Sequence, residues 1–313
     1  ANKHPETLVL SADLGTSCEV KKFRAEKPDQ YLTMGIAEQN MCSWAAGLAR
    51  EGYRPFLHTF SVFLSRRILD QVEMSVAYPN LPVTFVGFVP GITTPGGVTH
   101  QSINDVGIMR TVPNMAIFDV GDATDIEGVL DLVYEWNGPA YIRMLRKEVP
   151  RLFPANEPMV FNRARTITEG DDVLILSSSI CTEEAMRATA ALEDKGVSVQ
   201  HMHVSTLKPF TDPTIVEALK KCKYGVVTME NHYNIGGLGS AVADLMAENG
   251  IGKKLIKIGL NGYAHGASKM YLMTKYGIDA MNLVKSVEEL IGKDLGIKED
   301  DLDNQRFVDF LEV

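Results

Sequence analysis

The chain predicts an α/β protein built as two three-layer domains, and three observations carry that expectation. At 313 residues it is longer than one core comfortably organises. Short β-rich runs alternate with helical patterns, which is how βα repeats lay down a mostly parallel sheet. The alternation halts where Pro150, Pro154 and Pro158 stand among polar residues, then starts again, so residues 1–155 and 156–313 are expected as separate domains.

In the first half, β-rich runs place strands at 7–10, 55–59, 83–88, 115–118 and 140–144, with helical stretches between them. The first strong helix is expected over 37–51, where Ile36, Asn40, Trp44 and Leu48 recur at i, i+4 and Gly52 supplies a C-terminal cap. Glu38 thus falls in a first helical turn. The second half repeats the rhythm, with strands at 172–177, 197–203, 224–229 and 254–258 and helices at 182–195, 213–220 and 239–248.

A composition 45% apolar and 23% charged is that of an ordered globular protein. The net charge of −9 argues against nucleic acid as a partner, because the basic pairs Lys21-Lys22, Arg66-Arg67, Lys220-Lys221 and Lys253-Lys254 are scattered rather than clustered. Cys18, Cys42, Cys181 and Cys222 have no C-x-x-C spacing and read as reduced thiols. The N-terminal residues lack a signal-peptide pattern and no apolar run is long enough to span a bilayer, so a cytoplasmic, non-membrane protein is expected.

A glutamate at a helix start is ordinarily a solvated residue favoured by the helix dipole. Glu38 is flanked by Gly35-Ile36 and Met41-Cys42, which direct it inward. A buried carboxylate has a raised pKa and can share a proton with a heteroaromatic nitrogen near neutral pH. Phe60 and Phe63, three apart after an expected strand, read on their own as core aromatics. His100 is either a surface residue or one that the Gly96-Gly97 loop brings against a ligand. His201 and His203, two apart on an expected strand, share a face as metal ligands would, but without a third ligand nearby they read as strand packing.

In order, MGIAEQNM at 34–41, HTFSVFLSRR at 58–67, GGVTHQS at 96–102 and the Arg143/Arg146 segment resemble the transketolase and deoxyxylulose-phosphate synthase family across nearly the whole chain. The resemblance implies a thiamine diphosphate (ThDP) pyrimidine-binding domain followed by a transketolase C-terminal-type domain. It makes Glu38 the hydrogen-bond partner of the cofactor's aminopyrimidine N1′, and Phe60 and Phe63 the residues that seat the ring. It places Asp13 near the cofactor, Ser17 near a substrate phosphate, and His100 with Gln101 at the donor sugar's carbonyl end. Arg66 aligns with a substrate-facing arginine of the synthase branch and also lies near the cofactor. Arg146 matches an arginine that grips the phosphate, as a bidentate donor suits an oxyanion; Arg143 reads as structural. The segment MENHYNIGGLGS at 229–240 resembles a signature of the C-terminal domain, where a Gly-rich turn opening a helix could bind an anion but is associated with dimerisation.

ThDP enzymes hold the diphosphate through Mg²⁺ on a G-D-G followed roughly 25 to 30 residues later by Asn. The nearest approach here is Gly121-Asp122-Ala123, with Asn137 too close. The Mg²⁺ ligands are therefore expected from an N-terminal transketolase subunit, with the active site at a subunit interface, homodimerisation through both domains and a heterotetrameric assembly. The implied activity is transfer of a two-carbon ketol unit from a ketose with a phosphate or another anion, a sulfonate included, to an aldose. Gly96 replaces an acidic residue, and Phe88 and Val89 replace a histidine or arginine, so ordinary sugar-phosphate recognition is not assured. The alternatives are a synthase-like chain, a 2-oxo acid dehydrogenase β subunit and a degenerate scaffold paralogue.

Overall fold

The computed structural model describes residues 1–146 and 149–303. The expected end of the second domain at residue 313 lies outside the described residues. The first half runs β1 (Thr7–Ser11), α1 (Lys21–Glu26), β2 (Tyr31–Thr33), α2 (Glu38–Arg50), β3 (Arg54–Phe60), α3 (Ser61–Ser65), α4 (Leu69–Gln71) leading into a π-helical turn at Val72–Ala77, β4 (Thr84–Phe88), α5 (Asp105–Thr111), β5 (Ala116–Asp119), α6 (Ala123–Glu135) and β6 (Ala140–Met144). The second runs β7 (Arg165–Thr168), β8 (Val173–Ser177), α7 (Cys181–Asp194), β9 (Val199–His203), β10 (Thr206–Lys208), α8 (Pro213–Lys221), β11 (Gly225–Tyr233), α9 (Leu238–Glu248), β12 (Leu255–Leu260), α10 (Lys269–Lys275), α11 (Ala280–Ile291) and α12 (Glu299–Asp303).

These strands form two sheets, ordered β10-β5-β6-β4-β3-β1-β2 and β12-β11-β8-β9-β7. All pairings are parallel except β10 with β5 and β7 with β9. A parallel strand is covered on both faces, which is why β4 (TFVGF) and β8 (VLILS) are apolar and buried throughout. The expected boundary at 155 falls between β6 and β7. β10 crosses back over it: the chain leaves β9 and pairs Thr206 with Phe118 at the edge of the first sheet. Lys208 pins that crossing by donating from Nζ to the carbonyls of Arg110, at 2.9 Å, and Val112.

The register of α2 departs from the stripe read in the sequence. Ile36 and Trp44 are 79% and 55% exposed, while Met41, Cys42, Ala45, Ala46 and Ala49 are buried. Small side chains let the helix lie close against Leu8, Leu10 and Leu57 of the sheet, so the larger ones turn outward. Gly52, at φ +92°, ends the helix as expected.

Two buried polar systems join the halves. On β6, Arg143 is fully buried and donates from Nε to Asp105 Oδ2 at 2.8 Å, from Nη1 to Asp119 Oδ2 at 2.9 Å and from Nη2 to the Asn231 carbonyl of β11 at 2.9 Å. Ser178 Oγ, from the second half, donates to the same Asp119 oxygen at 2.9 Å. In the second system, Asp125 Oδ2 accepts from His203 Nε2 at 2.7 Å, and His203 Nδ1 meets Thr182 Oγ1 at 2.7 Å. Ser177 Oγ carries the chain on to His201 Nε2 at 2.8 Å. The two histidines thus serve packing and hydrogen bonding, and no metal-holding group of His, Cys, Asp or Glu occurs among the described residues.

Burial pushes His201 down to about 3 and His58 down to about 4. Between those values and about 6.5 the unfolded chain binds protons that the native one refuses, so acid favours unfolding. Stability is expected to fall as pH drops from 7 to 5, each imidazole steepening the slope by up to about 1.4 kcal/mol per pH unit. Urea melts across that range check this; a flat profile contradicts it.

Candidate active site

The site forms at the carboxyl ends of the first sheet, where open α/β sheets expose loops for ligands. Gly35, at φ +72°, turns the chain from β2 into α2 and sets Glu38 as the first helical residue, its carboxylate at the positive end of the helix. Glu38 is only 3% exposed. Phe60 ends β3 and Phe63 follows in α3, with ring centroids 5.8 Å apart and planes 25° from parallel. His100 presents its ring edge to both, at 5.9 Å and 5.8 Å. The structure therefore assembles Phe60, Phe63 and His100 into one wall.

Arg67 ties Glu38 to that wall. It donates from Nη1 to Glu38 Oε1 at 2.7 Å and lays its guanidinium over the Phe63 ring at 4.1 Å. The sequence motif points instead to its neighbour Arg66, which is exposed and makes neither contact. No local signal separates the two adjacent arginines: α3 ends at Ser65, and Arg67 reaches back to Glu38 and Phe63 from the turn beyond it.

Gln101 braces the histidine loop. Its Nε2 donates to the carbonyls of Thr94 at 3.3 Å and of His265, from the second half, at 3.1 Å, while its buried Oε1 has no partner among the described residues. Asp13, at φ +59°, and Ser17 line a separate small cleft with Lys21, Arg24 and Tyr31. Arg146 lines a further cavity of about 380 Å³. Val89 lines it too, at φ +51°, a conformation that costs a β-branched residue of order 1–3 kcal/mol and is found where a site demands it.

Two motifs have structural occupants. The helix α9 N-terminus at the Gly-rich turn is filled by the chain's own anion: Glu230 accepts from Leu238 N at 2.7 Å and Gly239 N at 2.8 Å. A methyl group at Gly237 would lie 1.9 Å from Glu230 Oε2, so Gly237→Ala is expected to destabilise by roughly 1–3 kcal/mol in denaturant melts, with no loss if the turn can yield. Asp122, in the nearest approach to G-D-G, spends its oxygens on the amides of Asp125, Leu152 and Phe153.

Residues 1–151 match the transketolase pyrimidine-binding domain and residues 162–282 the transketolase C-terminal domain. The chain belongs to the transketolase family. This transketolase-family chain is 37% identical to the 6-deoxy-6-sulfo-D-fructose transketolase subunit SqwH of Clostridium sp. (strain MSTE9), over 93% of its own length and 90% of that protein's. It is 31% identical to a subunit of apulose-4-phosphate transketolase from Actinobacillus succinogenes, covering 87% of this chain and 88% of that one. Among solved structures it superposes on a split-gene transketolase described as an inactive β4 tetramer, with TM-score 0.86, 34% identity and coverage of 93% and 94%. Transketolase from Leishmania mexicana shares the fold at TM-score 0.76 and 22% identity, this chain matching 43% of it and 92% of itself being covered. No helix among the described residues is long and apolar enough to cross a membrane.

Proposed function

We propose that this chain is the C-terminal subunit of a two-component, ThDP-dependent transketolase, moving a two-carbon ketol unit from a ketose with an anionic end to an aldose. The observation that carries the reading is Arg67. A flat cation lies on Phe63 with an N–H pointed at the buried Glu38 carboxylate, which is the shape and polarity a protonated aminopyrimidine ring would bring. The residues fit the cofactor.

ThDP, when bound, supplies the carbon nucleophile and the sink for the charge that carbon–carbon cleavage leaves behind. The chain's own residues orient and deliver protons. Glu38 holds a proton at the pyrimidine edge, Phe60 and Phe63 fix the ring plane, and His100, positioned by Gln101, meets the donor's carbonyl end. Arg146 holds the substrate's anion, with the exposed Arg66 at the site's rim, while Ser17 and Asp13, which line a separate cleft, support the loop beside the cofactor. We place the domain boundary at 155.

Mg²⁺ and its G-D-G ligands are assigned to an N-terminal partner subunit, in a cytoplasmic heterotetramer paired through both domains of this chain. The inactivity named for the β4 relative, and the description of the sulfofructose and apulose-phosphate relatives as subunits, support a required partner. The names of those two, one with a sulfonated and one with a phosphorylated sugar, support an anionic substrate.

The test is native mass spectrometry of the chain with ThDP, Mg²⁺ and a G-D-G-bearing transketolase chain, followed by a ketol-transfer assay. Equal copies of both chains with ThDP retained, and two-carbon transfer, are expected. Homodimers that never retain ThDP would overturn the proposal.

A further inference from the structure

We infer that Lys269, in the C-terminal domain, is a specificity-determining residue that binds the anionic end of the sugar alongside Arg146. This rests on the ketol-transfer reading above and extends its substrate site into the second domain.

The inference begins with the 380 Å³ cavity between the halves. Val89, Thr93, Thr94 and Arg146 line it from the first half, and Glu183 and Lys269 from the second. Among the described residues, Arg146 and Lys269 are its cations. Arg146 lines it, and its buried Nε has no hydrogen-bond partner among the described residues, so the protein leaves part of this guanidinium's donor capacity unused. Val89 brings only an apolar side chain to the wall, so the second positive charge among the described lining residues comes from the other half. Lys269 is that charge.

Its placement is fixed by the backbone. Lys269 opens α10, directly after a segment that locks onto the His100 loop. Gln101 Nε2 donates to the His265 carbonyl at 3.1 Å, and Gly266 packs so tightly that a methyl group on it would lie 2.6 Å from the Pro95 carbonyl oxygen. The element that carries the cation is thus keyed to the loop that carries His100. An ammonium point charge tolerates phosphate and sulfonate alike, leaving the Arg146 fork to supply direction. Glu183 brings carboxylate oxygens to the same cavity, which can accept from sugar hydroxyls.

Two measurements test the assignment on the reconstituted complex and on the isolated chain. In steady-state assays with D-fructose 6-phosphate, 6-deoxy-6-sulfo-D-fructose and uncharged D-fructose as donors, Lys269→Ala is expected to raise KM about tenfold or more for whichever charged donor is used, with the change on KM rather than kcat. Lys269→Arg should recover most of it. A preference between the two charged donors identifies the natural oxyanion. Separately, thermal melts of the isolated chain in phosphate or sulfate, at ionic strength matched with chloride, should show stabilisation that Lys269→Ala and Arg146→Ala each reduce by more than half. If the wild-type complex transfers nothing, the ketol-transfer reading fails while the melts still judge Lys269. Equal anion stabilisation in wild type and Lys269→Ala, or an unchanged KM for the charged donors, overturns the inference.

Discussion

Glu38→Gln is expected to cut ketol-transfer turnover by about 10²- to 10⁴-fold, the range typical of a positioned acid/base group. The amide keeps the size of the side chain and can still hydrogen-bond a ring nitrogen, but it cannot carry the proton. Assembly with the partner should survive, because Arg67 is 44% exposed and stays solvated when its anion is removed. Turnover in the reconstituted complex, alongside native mass spectrometry of the variant, makes the comparison. A loss below tenfold would remove Glu38 from the chemistry and favour a scaffold.

The second large effect concerns stability. Arg143→Met leaves Asp105 and Asp119 fully buried without their cation, and breaking a buried pair in this way costs about 3–5 kcal/mol. The loss should appear as a lower urea midpoint. A compensated variant, Arg143→Met with Asp105→Asn and Asp119→Asn, should recover part of it, because the stranded charges are gone. A single-variant loss under about 1 kcal/mol would mean that water or a rearranged partner reaches the carboxylates.

Much of this architecture was legible in the sequence because its strands are short apolar runs, which a parallel sheet requires. The β-rich run at 140–144 coincides with β6 residue for residue, and Gly52 closes α2 for the expected reason. What escaped was set by long-range packing. The sequence stripe of α2 put Ile36 and Trp44 inward, whereas the sheet selected the alanine face. β10 is three residues long and carries no periodicity to read. At the site, the local order of motifs pointed to Glu38, Phe60, Phe63 and His100, and the fold gathers the three aromatic rings and joins Glu38 to them through Arg67. Arg66 and Arg67 are adjacent in the turn beyond α3, and only the fold shows that Arg67 is the one that reaches back to Glu38. Lys269 had no local signal, since its relevance arises only where a distant loop meets the cavity.

The return of β10 to the first sheet limits how this protein can be taken apart. A truncation at residue 155 would strip β5 of its outer neighbour and leave a bare strand edge, a template for pairing with other chains. It would also remove the Asn231 carbonyl from Arg143. The leading fragment would tend to aggregate rather than fold alone, so the two modules have to be exchanged, transplanted or redesigned as one heritable unit.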